Sequence, residues 1–397
     1  FGTPTATPHM KQPAFMSALG MMADTEYEAS RASVGSSSVL GSPCSIHAVF
    51  RGGSAGDFMG HRPSSQADSS GDRRTERSDS DILVSEYHKV PLHVRAQAEA
   101  WELPREEVQL LSLIAEGEGG MVFQCRWRGL DCVAKMLATD SDSSRESADM
   151  INELSTISHL RHPNLVLFLG ACTRERPLIL VSEFLLGGNL EDWTTRQTLT
   201  KPRSKGRAPV DVALSWCIDL ARAVCYLHNC STPVIHRDLK PANLLLTDDL
   251  RLKVSDFGLS KTLQKSQKEG FHQMTGNKGT VRYMAPEVIR CDSSYNEKVD
   301  LYSSGMIFWY IAMGSEPFGE CHLDHLAELA AVKKQRPAME EVARNFPPQM
   351  SDLICRCWDD EPELRPAAES VVEDLELIVQ VQIGLASRKD KAKCSLQ

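Results

Sequence analysis

The spacing of apolar residues changes character along the chain. Up to about residue 82 it has no period: stretches such as VGSSSVLGSP and SSQADSSGDRRTERSDSD follow neither the strand nor the helix repeat. A segment of this kind buries too little apolar surface to offset its ordering entropy, so residues 1–82 are expected to form a disordered Ser/Gly-rich region. From about residue 105 an alternating pattern sets in. Val108, Leu110, Ser112 and Ile114 share one phase, a glycine turn follows at Gly117, Gly119 and Gly120, and Val122, Cys125 and Trp127 come next. This predicts a β-hairpin. DCVAKML (131–137) predicts a third strand, and NLVLFLGAC (164–172) and LILVSEF (178–184) predict buried ones. Between them, Ser143 and Glu146 form a capping box, and Met150, Leu154 and Ile157 fall on one helical face. An amphipathic helix is expected there, stopped by His162-Pro163. After Gly187-Gly188 the pattern turns helical, with Leu214, Cys217, Ile218, Ala221 and Val224 on one face of 211–228. Strands first and helices afterwards predict a two-lobed α+β architecture, not an alternating parallel sheet.

Bulk composition narrows the functional classes. The net charge of -9 over 397 residues argues against nucleic acid as a partner. The longest apolar run, around Met306–Met313, is too short to span a bilayer and fits a buried helix. The twelve cysteines are scattered and no secretory signal precedes them, which points to a reduced, cytoplasmic setting. Cys355-x-Cys357 has no second ligand pair at zinc spacing and is expected to be helix core.

Four clusters carry candidate chemistry. The glycine turn by itself fits either an ordinary hairpin loop or a loop whose small residues let backbone N–H groups approach phosphates. Lys135 emerges from an apolar strand and needs a partner; Glu153 on the following helix is the expected one, and a lysine so held could grip phosphate oxygens. VIHRDLKPANLLL (234–246) sets His236, Arg237, Asp238, Lys240 and Asn243 between two apolar brackets, a density of polar groups that is costly to bury without purpose. KVSDFGLS (253–260) repeats the form, a strand followed by Asp256. Asn243 and Asp256 are hard oxygen ligands of the kind Mg²⁺ takes.

In order along the chain these are Gly117, Gly120 and Val122, then Lys135, Glu153, HRDLKPAN, DFG and APE (285–287). Together they resemble the eukaryotic protein-kinase signature. RHPNLVLFLGAC (161–172) and CWDDEPELRP (357–366) resemble the tyrosine-kinase-like group, of Raf and mixed-lineage type. The resemblance implies a bilobal fold, with a β-rich N-lobe carrying one regulatory helix and a helical C-lobe. The expected divisions are a lead-in at 83–106, a kinase domain at 107–381 and a basic tail at 382–397. It implies ATP and Mg²⁺ as cofactors and protein substrates as partners. Asp238 would accept the proton of the substrate hydroxyl, and Lys240 would steady the γ-phosphate. Lys135, paired with Glu153, would grip the α/β-phosphates, and Asn243 and Asp256 would hold the metal. The phosphate-covering loop would run Ile114, Ala115, Glu116, Gly117, Glu118, Gly119, Gly120, Met121, Val122. Ile114, Val122 and Ala134 would line the adenine slot. Ser182 takes the gatekeeper position, and hinge backbone at Glu183, Phe184 and Leu185 would bind adenine. Lys240 and Thr280 match the Ser/Thr form, with dual specificity open.

The same resemblance assigns Arg237 to an activation-segment phosphate added by an upstream kinase, with Thr275 as candidate among Ser260, Thr262, Ser266, Thr275 and Thr280. It pairs Glu287 with Arg365, puts Asp300 at the head of the large buried helix, and stacks His236, Phe257, Ile157 and Phe168. Departures are Ala115 for the first glycine, Gly119 for the loop-tip aromatic and Ser304 for a Phe; none removes a catalytic group, so an active enzyme is expected over a pseudokinase scaffold. Gly119 predicts a looser cover over the phosphates. RQTLTKPRSKGR (196–207), with five basic residues and no acidic one, is read as a solvated loop, or else a docking site for an acidic partner. Cys394-Ser-Leu-Gln397 fits a farnesylation box behind Arg388, Lys389, Lys391 and Lys393, which would add a membrane tether; the other reading is an accidental cysteine in a floppy tail.

Overall fold

The computed structural model describes residues 90–117, 120–136, 154, 156–201, 205–257, 261–262, 280–292, 295–319 and 321–394, with backbone alone at 261–262, 280, 323–324 and 384–394. The expected disordered region 1–82, the Ser143/Glu146 cap, Glu153, and Glu118 and Gly119 at the loop tip all lie outside these residues. All described residues belong to one unit, 76–397.

The alternating segments form a five-stranded antiparallel sheet in the order β1-β2-β3-β5-β4. Its strands are β1 Val108–Gly117, β2 Gly120–Trp127, β3 Leu130–Met136, β4 Phe168–Cys172 and β5 Ile179–Glu183. The predicted hairpin is β1–β2, closed by Gly117 opposite Gly120. The alternation fails within β1, however. Register shifts between Leu110 and Leu113, and between Leu113 and Ala115, re-aim the strand, and Leu113 and Ile114 are both about half exposed, at 49% and 50%. The predicted strand at 164–172 is also shorter, starting only at Phe168. Residues 164–166 instead dock on β9 (Leu252–Val254), where Val166 N–H donates to Val254 O at 2.9 Å and Val254 N–H to Asn164 O at 2.9 Å.

The lead-in is tied into this sheet. After α1 (Leu92–Ala98), Glu102 bridges Ala171 in parallel, and Leu103 N–H donates to Ala171 O at 2.8 Å. The chain runs so close to β4 that a Cβ on Gly170, whose φ is +155, would lie 2.6 Å from Leu103 Cγ and 2.7 Å from Trp101 O. Trp101 is buried edge-on to Phe168, with centroids 5.9 Å apart, and its indole N–H donates to Glu99 at 2.8 Å. Removing that ring leaves a cavity and an orphaned packing surface on Phe168. Trp101→Ala is therefore expected to cost about 3–5 kcal/mol in urea unfolding; a loss under about 1 kcal/mol would show that the lead-in only rests on the sheet.

The helical half is built on α2 (Leu190–Thr200), α3 (Val210–His228), α4 (Lys298–Met313), α5 (Pro348–Cys357) and α6 (Ala368–Cys394). The short strand β6 (Gly188–Asn189) leads into α2, which Asn189 caps by accepting the Asp192 N–H. The predicted face of α3 is buried, but so are Ala213, Trp216, Asp219, Leu220 and Ala223, because α6, α4 and β9 surround it. α4 is buried over almost its whole length, and a Cβ on Gly305 would meet Cys357 Cβ at 2.8 Å, so glycine permits the close α4–α5 approach. Among the described residues no helix is long and apolar enough to cross a membrane.

Two expectations need correction here. Cys357 is core, but Cys355 on the same helix is exposed, since residues two apart in a helix point about 200° apart. The basic stretch 196–207 is not one solvated loop. Its first residues complete α2, and Lys205 and Arg207 both pair with Glu341, at 3.3 and 3.0 Å. The helix α6 runs unbroken across the expected boundary at 381/382 to Cys394, so that part of the tail is helical. The three cysteines of the sheet are packing residues: burial pushes Cys125 up to about 12 and Cys172 up to about 11, which keeps them protonated and unreactive.

Candidate active site

The HRDLKPAN segment lies between β7 (Val234–Ile235) and β8 (Leu244–Leu246), the two apolar brackets read in the sequence. β8 pairs with β9, which delivers Asp256 two residues after its last strand position. Two residues at this junction have left-handed backbones, Arg237 at φ 67 and Asp256 at φ 59. Such conformations cost of order 1–3 kcal/mol each and persist only where the surroundings hold them.

Asp300 holds the first. It is completely buried at the head of α4, accepting the His236 N–H at 2.8 Å on one oxygen and the Arg237 N–H at 2.9 Å on the other. His228 adds a contact at 2.9 Å. Burial pushes the Asp300 carboxyl up, but the His228 hydrogen bond and charge, the His236 ring and the Arg237 N–H outweigh it and leave the group below its ordinary value. Its contribution is thus present above the usual carboxylate range and is lost as pH falls through the depressed value. His236 holds the second junction. Its Nδ1 accepts the Asp238 N–H at 3.3 Å, which assigns the proton to Nε2 for the 3.0 Å bond to Ser255 O. Its ring packs on Phe257 at 5.2 Å, and Ile157 and Phe168 belong to the same buried cluster.

Within this frame Asp238 is 7% exposed, and its two oxygens differ. Oδ2 accepts from Lys240 Nζ at 2.6 Å and from Asn243 Nδ2 at 3.0 Å. Oδ1 is buried and has no hydrogen-bond partner. An orphaned carboxylate oxygen carries a desolvation penalty of a few kcal/mol, so it suits a donor from outside the chain, a water or a hydroxyl. Asn243 also donates to Asp238 O at 2.8 Å, and its own carbonyl accepts the N–H and hydroxyl of Ser255, each at 2.9 Å, which puts Asn243 beside the residue preceding Asp256. Lys135 Nζ lies 2.9 Å from Asp256 Oδ1, so strand β3 and the DFG junction meet directly. The expected Lys135–Glu153 pair lies outside the described residues. Arg237 Nη1 donates to Tyr295 at 2.8 Å.

The hinge follows from β5. Ser182 stands opposite Val133, and Ala134 is fully buried opposite Val181. The Glu183 carboxylate is held by Lys253 Nζ at 2.6 and 2.8 Å and by the Leu167 N–H at 2.7 Å, which ties the hinge to β9. This tie was not legible in the sequence; the only signal was a lone lysine beside the strand that leads to Asp256. Ile114, expected to line the adenine slot, is half exposed where β1 shifts register against β2.

Among the described residues no group of three or more His, Cys, Asp and Glu is arranged to bind a metal by itself. One amide oxygen and one carboxylate, at Asn243 and Asp256, nonetheless fit Mg²⁺, which keeps several waters and takes phosphate oxygens for the rest of its octahedron.

The protein kinase domain family matches residues 108–375. Serine/threonine-protein kinase VIK of Arabidopsis thaliana is 35% identical over 283 residues, covering 70% of this chain and 62% of that protein. Serine/threonine-protein kinase CTR1 of the same plant is 32% identical over 289 residues, 73% of this chain and 34% of its own. Dual specificity protein kinase shkA of Dictyostelium discoideum is 35% identical over 280 residues, 70% and 50% respectively. The similarity thus spans between a third and two thirds of each relative's length. Members of this family use ATP and Mg²⁺ and act on proteins. With the family's motifs gathered around Asp238 and the match covering most of the chain, this protein belongs to the protein kinase family.

Proposed function

We propose that the chain is a protein serine/threonine kinase of the tyrosine-kinase-like group, transferring the γ-phosphoryl of ATP to Ser and Thr hydroxyls of proteins. The observation that carries this reading is the unpartnered, buried Oδ1 of Asp238, set beside Lys240 and Asn243. Mg-ATP, when bound, supplies the phosphoryl group and, through the metal, offsets charge on its oxygens. The chain's own groups then have separate tasks. Oδ1 of Asp238 accepts the hydroxyl proton, while Oδ2 stays fixed by its two donors. Lys135 and Lys240 present ammonium groups to phosphate oxygens, and Asn243 and Asp256 hold the metal. Backbone at Glu183, Phe184 and Leu185 takes adenine. With Lys135, Asp238, Asn243 and Asp256 all present and juxtaposed, a scaffold without chemistry has no feature in its favour. The Ser/Thr preference is supported by Lys240 and by the names of the plant relatives. Phosphoamino-acid analysis of a generic protein substrate after incubation with Mg-ATP tests it. Phosphoserine and phosphothreonine are expected; phosphotyrosine as the main product would overturn the preference.

A further inference from the structure

The helix α6 changes character along its length. Its first half is built into the domain. Val371, Leu375 and Ile378 are buried against α3, and Asp374 and Glu376 pair with Arg356 and Arg222, each at 2.8 Å. Among the described residues of α6, Val379 is the last that packs on this core. The helix nevertheless continues to Cys394, a projection of about 22 Å. Where it leaves the domain, Leu377 and Val381 stand one turn apart, 58% and 42% exposed. Glu373, one turn earlier, is exposed and acidic, so the apolar stripe begins at Leu377. The sequence continues the spacing with Leu385 and Arg388 and adds Lys389, Lys391 and Lys393 against the single acid Asp390. This basic end belongs to a chain of net charge -9.

A single exposed leucine is ordinary, and cations near a helix C-terminus are favoured by the macrodipole alone. Neither accounts for an apolar stripe that runs into a basic cluster along a helix leaving the domain. That order fits a helix lying in the headgroup layer of a bilayer, with apolar side chains at the acyl boundary and basic ones on anionic lipid. The helix is not apolar enough to cross the membrane, so it lies on it. A second copy of the chain is the poorer occupant. Side by side, the two basic ends repel; head to tail, each set of cations meets the other's apolar stripe. We infer that α6 from Leu377 to Lys393 is a membrane-surface segment that holds the domain on an anionic bilayer, Leu377 and Val381 entering the headgroup layer and the four basic residues meeting its charged lipids.

The test is sedimentation of the full chain with vesicles. Protein made in bacteria carries no farnesyl group at Cys394, so its binding belongs to the helix. Vesicles of phosphatidylcholine with about 30% phosphatidylserine should carry the chain down at low salt, and pure phosphatidylcholine vesicles should not. Salt at about 0.5 M should release it, because charges are then screened within about 4 Å. Arg388→Gln/Lys389→Gln/Lys391→Gln/Lys393→Gln should weaken binding at least about fiftyfold, and Leu377→Gln/Val381→Gln about fivefold. Both variants should melt with the wild type, which separates lost binding from lost folding; the apolar pair decides the matter if the charge variant does not fold. Equal sedimentation with both kinds of vesicle, none with either, or unchanged binding in the folded variants overturns the inference. A dimer in analytical ultracentrifugation without vesicle binding also overturns it and gives the stripe to a second copy. None of these outcomes touches the kinase reading, because the assay measures no phosphoryl transfer.

Discussion

Arg365→Met is expected to destabilise the folded chain by about 3–5 kcal/mol. The arginine is fully buried and grips Glu287 with two parallel bonds, Nη1 to Oε1 at 2.6 Å and Nη2 to Oε2 at 2.8 Å. Its remaining donors reach Asp359 O at 2.8 Å and Lys298 O at 3.0 Å, and its guanidinium lies 5.2 Å from the Tyr302 ring centre. The pair therefore joins the helical turn Pro286–Ile289, the head of α4 and the approach to α6, segments far apart in the chain. Methionine fills much of the space and supplies none of the charge. What dominates the cost is the Glu287 carboxylate left buried without its partner, not the lost attraction. That distinction has a consequence. Adding Glu287→Leu to Arg365→Met removes the stranded charge and should restore part of the loss, so the double variant should be more stable than the single one. Urea unfolding of the three proteins checks this. A single variant within about 1 kcal/mol of wild type, or a double variant whose losses simply add, would mean that the pair is not the clamp its geometry describes.

Much of the site was legible because its residues break a local pattern. HRDLKPAN places charged groups between apolar brackets, and the brackets are strands β7 and β8. Asp300 was expected at the head of the buried helix from the family resemblance alone, and its bonds to the His236 and Arg237 N–H groups had no signal in the sequence. The Glu287–Arg365 pair was expected too, though only from the family resemblance. Other features carry no local signature. Lys253 and Glu183 are ordinary residues until folding brings them within 2.6 Å, so the tie between hinge and β9 is invisible in either segment. Asp219 reads as a polar break on α3, but it is the buried acceptor for Arg251 and for the Leu252 N–H. The bulges of β1 depend on pairing with β2, which no period in β1 alone encodes. The wide burial of α3 reflects what surrounds it, and its signal in the sequence was the apolar Ala213, Trp216, Leu220 and Ala223 off the predicted face.

Asp238→Asn should lower kcat by about 10²–10⁴-fold, the usual contribution of a positioned general base. The substitution keeps the shape of the side chain, and its amide can still sit between Lys240 and Asn243, so the fold and the KM for ATP should change little. What it removes is the basicity of the one oxygen that the surrounding donors leave without a hydrogen bond. If that oxygen were only a structural acceptor, the loss would appear as instability and not as lost turnover. The decisive measurement is therefore transfer of label from γ-labelled ATP to myelin basic protein by the wild type and by Asp238→Asn, side by side, with Mg-ATP-induced thermal stabilisation recorded for both. Label on serine and threonine from the wild type, almost none from the variant, and equal stabilisation by nucleotide are the predicted result. Equal labelling by the two proteins would contradict the assignment of Asp238 and, with it, the account of this site.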